Sequence, residues 1–139
     1  MKKIIAMTNR YNTIFHWNDI VNKIGRLTMQ GDYAHTIFNH MPENFDGTFY
    51  RNQIKHENIS KYSKTLPISE LYTDQYSNKI LVLEEMNEQF PTVSDIYDAG
   101  SPIIVALIDN KYVLLDGNTR TILLHAYGET AVMVDLYKF

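Results

Sequence analysis

The sequence predicts an α+β fold, in which helices pack on a small mixed sheet and a mostly helical extension precedes that sheet. Residues 103–108 form a continuous apolar run rich in branched side chains, which is typical of a strand covered on both faces. Residues 13–30 carry apolar side chains at helical spacing. Another helical pattern, over residues 119–127 in the second half of the chain, lies between two strand-like segments. A strand, a strand, a helix and a strand in this order imply a mixed sheet with helices packed on it.

The size and composition of the chain predict one domain. Its 139 residues and 45% hydrophobic content suit a single packed core. We expect this domain to span residues 1–139, with a helical, basic part over 1–64 and a second part over 65–139. The longest apolar run is far shorter than the roughly 20 residues that cross a bilayer, and the N-terminus lacks the apolar region of a signal peptide. These features predict a cytoplasmic protein without a membrane partner, and the absence of cysteine excludes disulfides and thiolate chemistry.

The first half of the chain predicts two helices and an irregular segment. The apolar pattern over 13–30 predicts the first helix, which Gly31 can end. Asp32 suits the N-cap of a second, shorter helix, and Pro42 stops it. The apolar positions of this second helix are Ala34, Ile37, Phe38 and Met41. Residues 43–64 show no clean period, so we interpret them as irregular, with room for one short helix or strand.

The second half of the chain has clearer patterns. Ser77 can cap a helix, and Pro91 and residues 100–102 mark breaks after it. Asp109 and Asn110 suit a two-residue turn between two strands. The predicted elements are a helix over 78–89, strands over 103–108 and 111–115, a helix over 119–127 closed by Gly128, and a last strand with Val132, Val134 and Leu136 alternating.

Five residues at the junction between the second of these strands and the following helix form a candidate anion site. They are Asp116, Gly117, Asn118, Thr119 and Arg120. The first amides of a helix lack intrahelical partners and lie at the positive end of its dipole, so several N–H groups can bind one anion there. Gly117 can adopt a positive φ, and Arg120 adds a charged fork suited to phosphate. In the alternative interpretation, Asp116 and Asn118 only form the turn and cap the helix, and Arg120 lies on a solvated face.

The surroundings of this loop resemble the ParB/sulfiredoxin superfamily, whose members are also called ParB-like nuclease domains. That family's pattern runs from an L-x-x-T-Q-like element through a P-I-x-V strand to a Y-x-x-x-D-G-x-x-R signature and a helix ending in Gly. The chain supplies these motifs in order, as Leu71-Tyr72-Thr73-Asp74-Gln75, Pro102-Ile103-Ile104-Val105, Tyr112 to Arg120, and Gly128. The resemblance covers about residues 65–139 and implies a ParB-like fold there.

The resemblance also implies a ligand and a set of site residues. The ligand would be a nucleotide or nucleic acid, with a nucleoside triphosphate (ATP or CTP) and Mg²⁺ as cofactors. Residues 117–120 would bind phosphate, and Asp116 would shape the loop or assist a metal. Gln75 would contact a phosphate or a base, and Glu70 would act as a general base or Mg²⁺ ligand. The catalytic candidates are thus Glu70, Asp116 and Arg120, and the implied reaction is phosphoryl transfer or phosphodiester hydrolysis, as in a phosphotransferase or nuclease.

The chain departs from the family at positions that matter for chemistry. Thr119 stands where sulfiredoxins need a cysteine, which excludes their reaction, and the histidine that precedes the arginine in D-G-H-H-R members is absent. No helix-turn-helix pattern follows the motif, which disfavours a role in chromosome partition. These departures favour phosphate binding over catalysis.

A second hypothesis is a non-catalytic interaction protein, a regulator or inhibitor, in which the ParB-like part is a scaffold. Residues 1–64 carry nine Lys or Arg against five Asp or Glu, whereas residues 65–139 carry four against eleven. This basic first half, which is rich in aromatic residues, would then bind a protein partner. Docking of the two oppositely charged halves explains the same asymmetry, and core packing explains most of the aromatic residues.

Overall fold

The computed structural model describes residues 11–24, 37–75 and 80–139, which contain five α-helices and six strands. The helices are α1 (Trp17–Ile24), α2 (Gly47–His56), α3 (Ile80–Gln89), α4 (Val93–Tyr97) and α5 (Asn118–Ala126). The strands are β1 (Asn39–His40), β2 (Lys61–Pro67), β3 (Leu71–Thr73), β4 (Ile104–Ile108), β5 (Lys111–Asp116) and β6 (Ala131–Lys138), and a 3-10 turn over Ile68–Glu70 joins β2 to β3.

The six strands form one mixed sheet, in the order β1-β3-β5-β4-β6-β2. Strand β3 runs parallel to β5, and β4 runs parallel to β6. Strands β4 and β5 form an antiparallel hairpin. Its two turn residues, Asp109 and Asn110, have φ 50° and 63°. Positive φ at both central residues is what a two-residue type I′ hairpin turn requires. The predicted α+β fold with a mixed sheet is therefore confirmed.

Both faces of the sheet are covered. Leu114 of β5 packs with residues of α1, α3, α4 and α5 in the larger core. Its neighbours Val113 and Leu115 face the other way, into a smaller core that includes Tyr50 and Ile54 of α2. This alternation follows from the pleat of a strand, in which successive side chains point to opposite faces. Of the described helices, α1, α3, α4 and α5 thus lie on one face of the sheet and α2 lies on the other.

The second half of the chain folds much as its sequence predicts. The predicted bounds of β4, β5 and α5 agree with the structure to within one or two residues, which is the usual uncertainty of element ends, and the alternating Val132, Val134 and Leu136 lie in β6. Helix α3 lies within its predicted range, and residues 76–79 lie outside the described part. Helix α4 is an addition to the prediction. It begins with a capping box, in which Thr92 and Asp95 each bond the other's backbone amide.

The first half differs more from its prediction. Helix α1 lies within the predicted first helix, and residues 25–36 lie outside the described part. The predicted second helix does not reach Met41, because Asn39 and His40 pair with β3 as a strand. Residues 43–64 are more regular than predicted: they contain α2, whose N-cap Asp46 accepts a hydrogen bond from the amide of Phe49, and the start of β2. The predicted division of the chain at residue 65 falls inside β2.

Among the described helices, none combines the length and the apolar character needed to cross a membrane.

The buried Tyr127 and the partly buried Tyr97 should make the protein lose stability at high pH. Burial raises the pKa of Tyr97 and that of Tyr127 from 10.0 to about 12. The Tyr127 hydroxyl also donates to the carbonyl of Phe90 at 2.7 Å, and accepts from the side-chain amide of Asn87 at 2.8 Å. Between pH 10 and 12 the unfolded chain therefore binds fewer protons at these groups than the folded protein does. Their contribution to stability is complete below pH 10 and is lost as the pH rises through 12.

Urea unfolding across that pH range measures this effect. The free energy of unfolding should fall more steeply with pH in the wild-type protein than in a variant with Tyr97→Phe and Tyr127→Phe, which keeps the other tyrosines. Equal slopes for the two proteins would contradict the prediction.

Candidate functional site

A cleft of about 720 Å³ opens at the carboxyl ends of β3 and β5. Because these two strands are parallel, the segments that follow them meet at one edge of the sheet, which is where open α/β sheets commonly bind ligands. The cleft is lined by Arg51 of α2, Asp74 and Gln75 after β3, Met86 and Phe90 at the end of α3, Ala99 and Ser101 before β4, and the stretch from Leu115 to Arg120. Sequence-predicted and unpredicted residues therefore share one site.

Gly117 shapes the loop that forms one wall of this cleft. It has φ +93°, in the left-handed region, and it is the N-cap residue of α5. A Cβ at this position would lie 2.9 Å from Cγ1 of the buried Ile103. The position therefore favours glycine for both conformation and space. Since the N-cap residue has no side chain, it supplies no acceptor to the first amides of the helix.

Asn118 and Thr73 fasten this loop to the neighbouring strand. Both residues are buried, and the Thr73 hydroxyl donates to the side-chain oxygen of Asn118. The amide of Gln75 in turn donates to the Thr73 hydroxyl oxygen at 3.0 Å. The side-chain oxygen of Asn118 therefore accepts a hydrogen bond within the protein and stabilises the turn. This is the role that the alternative interpretation of the sequence gives to Asn118. The same network brings Gln75, a predicted binding residue, to the loop.

Arg120 lies at the junction of the cleft with a smaller cavity of about 380 Å³. Its Nη1 atom donates to the carbonyl of Ser101 at 2.5 Å, and its Nη2 atom donates to the carbonyl of Pro102 at 3.3 Å. Both partners are neutral. No carboxylate of the described residues forms an ion pair with this guanidinium.

The two remaining loop positions also face the cleft. Asp116 is exposed, and Thr119 is partly buried. The two cleft carboxylates, Asp74 and Asp116, are too few for an independent metal centre, and the described residues contain no cluster of three or more metal-ligating side chains. One or two carboxylates suffice for a Mg²⁺ ion that is also held by ligand phosphates. The donor set thus fits Mg²⁺ that arrives with a nucleotide.

Glu70 is the predicted site residue that the structure does not bring to this cleft. It is exposed and lies just before β3, whereas the loop follows β5. Since the two strands are parallel, Glu70 is at the opposite end of the sheet, in a separate depression with Lys111 and Tyr112. The expectation that Glu70 acts beside the loop is therefore corrected by the direction of the strands.

Arg51 and Asp74 are the main cleft residues that the sequence pattern does not assign to the site at the loop. Asp74 lies inside the Leu71–Gln75 motif, in which the resemblance implies a binding role for Gln75 alone. Arg51 lies in α2, and a signal for that helix exists in Asp46 as a cap followed by Tyr50 and Ile54 at helical spacing. That signal predicts a helix, although only the tertiary structure shows that Arg51 reaches the cleft.

Fold and site together define an α+β domain with a polar cleft at the carboxyl edge of a mixed sheet. Comparisons with protein-family models, with curated proteins and with solved structures found no match to this chain. The ParB/sulfiredoxin resemblance therefore stays a prediction.

Proposed function

We propose that this protein binds the phosphate groups of a nucleotide or nucleic acid in the cleft, at residues 117–120. One observation carries the proposal: the glycine-capped start of α5 and Arg120, which forms no ion pair with a described carboxylate, line the same cleft. Backbone amides at a helix start bind an anion with the aid of the helix dipole, and an arginine adds charge-assisted hydrogen bonds. The order of motifs shared with the ParB/sulfiredoxin superfamily supports the same function.

The proposal includes the cofactors that the resemblance implies. A nucleoside triphosphate, ATP or CTP, would place its phosphates at the loop, and Asp116 would contribute a ligand to the accompanying Mg²⁺. The exposure of Asp116 and its place beside the loop suit this role. Phosphoryl transfer or phosphodiester hydrolysis is the reaction class we propose for a catalytic form of this activity, with Asp116 and Arg120 at the reacting phosphate.

The test is phosphate binding by the full-length protein and by Arg120→Ala. We expect the variant to bind ATP, CTP or inorganic tripolyphosphate about 10- to 100-fold more weakly in calorimetric titrations, because charge-assisted hydrogen bonds contribute about 1.5–3 kcal/mol. Lys138→Ala is the matched control, since it removes one exposed positive charge outside the cleft.

Thermal unfolding of each variant shows whether a loss of affinity comes from a loss of folding, because Arg120 also bonds two backbone carbonyls. Arg120→Lys keeps the charge and should recover part of the affinity. Equal affinities of Arg120→Ala and the wild-type protein would contradict the site, and no binding of any phosphate ligand would contradict the function.

An exposed aromatic cluster supports the second candidate function, a non-catalytic interaction protein. Phe49 of α2 is 51% exposed, and Phe139 is 48% exposed. Their rings each lie 5.1 Å from that of Tyr50, in edge-on contacts. Exposed aromatic side chains are enriched at protein interfaces. This candidate predicts that Phe49→Ser abolishes capture of a protein partner while Arg120→Ala leaves it intact.

A further inference from the structure

Arg51 belongs to α2, which packs on the face of the sheet opposite α5, and its side chain reaches the cleft. Its Nε atom donates to the carbonyl of Leu115 at 2.8 Å, immediately before the loop. Its Nη2 atom donates to Oδ1 of Asp74 at 2.9 Å, in an ion pair at the end of β3. The guanidinium therefore bridges the ends of the two strands whose following segments form the cleft.

The surroundings of this ion pair leave its cation accessible. The side chains of Arg51 and Asp74 are 39% and 18% exposed. The Nη1 atom of Arg51 makes no hydrogen bond within the residues that the structure describes. The buried Gly47 packs against both partners, because a Cβ there would overlap Asp74 Oδ2 and lie 2.5 Å from Arg51 Nη1. The pair is thus held in place on the α2 side, and Nη1 keeps N–H donors that no described residue accepts.

Arg51 also lines two cavities. One is the cleft, and the other is a cavity of about 210 Å³ that Arg51 lines together with Ile54, Ile104, Leu115 and Asp116. Its guanidinium therefore borders open space, and an anion that enters the cleft meets the same cation that Asp74 binds.

We propose that Arg51 is a second anion-binding residue of the cleft, and that Asp74 competes with the ligand's phosphate for its guanidinium. This inference rests on the proposed function. The ligand class it favours is a di- or triphosphate, because such an anion can contact the start of α5 and Arg51 at once. Arginine binds phosphate and carboxylate through the same planar fork, so the two anions exclude each other on Nη2.

The two partners of the pair should then have opposite effects on affinity. In Mg²⁺-free buffer, with inorganic tripolyphosphate as the probe, we expect Asp74→Asn to bind about threefold to tenfold more tightly than the wild-type protein, as release of a partly exposed pair allows. Arg51→Gln should bind about tenfold more weakly. In the Arg51→Gln background, Asp74→Asn should add little, because the cation it releases is absent.

Asp116→Asn is the matched control, since it removes a carboxylate from the same cleft that forms no ion pair with Arg51. It measures the general gain from lowering negative charge, and the gain for Asp74→Asn should exceed it. Equal gains, or weaker binding by both Asp74→Asn and Arg51→Gln as a purely structural pair predicts, would overturn this inference while leaving phosphate binding at the loop intact. No tripolyphosphate binding by the wild-type protein would overturn the proposed function, and this inference with it.

Discussion

Gly117→Val is expected to lower the free energy of unfolding by about 2–5 kcal/mol and to abolish phosphate binding. The first part of the cost is conformational, because a β-branched residue strongly disfavours the φ of +93° that this position adopts. The second part is steric, because a Cβ would lie 2.9 Å from Cγ1 of Ile103. Ile103 is buried against the core and leads into β4, so it cannot move away at low cost.

Gly100→Val separates these two contributions. Gly100 has φ +89°, nearly the same backbone conformation, and apart from its chain neighbours no atom of the described residues lies within 4 Å of the position its Cβ would take. It should therefore show the conformational cost alone, about 1–2 kcal/mol, in urea unfolding. Similar destabilisation by both substitutions would show that the contact with Ile103 contributes little, and tripolyphosphate binding by folded Gly117→Val would disprove the role of the loop conformation.

Leu114→Ala is expected to lower the free energy of unfolding by about 2–5 kcal/mol. Leu114 is fully buried in β5, one of the central strands, and belongs to the larger core. Truncation removes apolar contacts and leaves a cavity. Because β5 is hydrogen-bonded to a strand on each side, it cannot easily move to close that cavity. Because domains of this size are stable by only about 5–15 kcal/mol, the variant should lose a large share of its stability.

Two controls make the Leu114 measurement specific. Leu114→Met keeps most of the volume and should cost less than about 1.5 kcal/mol. Met133→Ala changes a side chain that is 40% exposed on β6 and should change stability by only about 0.5 kcal/mol. If Leu114→Ala is no more destabilising than Met133→Ala in urea unfolding, the assignment of Leu114 to the core is wrong.

The elements that sequence patterns predicted well are those with their own complete signal. The branched apolar run of β4, the Asp109–Asn110 turn and the Gly128 stop are local features. Strand β2 lacks such a signal, because Leu66 is the one buried residue among its seven. It forms as an edge strand by pairing with β6 along its length, which depends on residues about 70 positions away. Helix α2 has a local signal, but its packing on the second face of the β4–β5 hairpin depends on residues far away in the sequence.

The candidate site divides in the same way. The loop over 116–120 is predictable, because a glycine between a strand and a helix start is a short-range pattern with a direct chemical meaning. Gln75 followed from its motif. The partners of the loop did not: the hydrogen bond from Thr73 to Asn118 and the reach of Arg51 to Leu115 join segments 45 and 64 residues apart.

The sequence by itself determined the mixed sheet of the second half, the glycine loop at the start of α5 and the residue types that can bind phosphate there. Only the tertiary structure decided which side chains share the cleft. Parallel pairing of β3 with β5 placed Gln75 and Asp74 beside the loop and Glu70 at the far end, while packing of α2 on the sheet added Arg51. The physical reason is that propensity and periodicity act over a few residues, whereas strand direction and helix docking depend on contacts between distant segments.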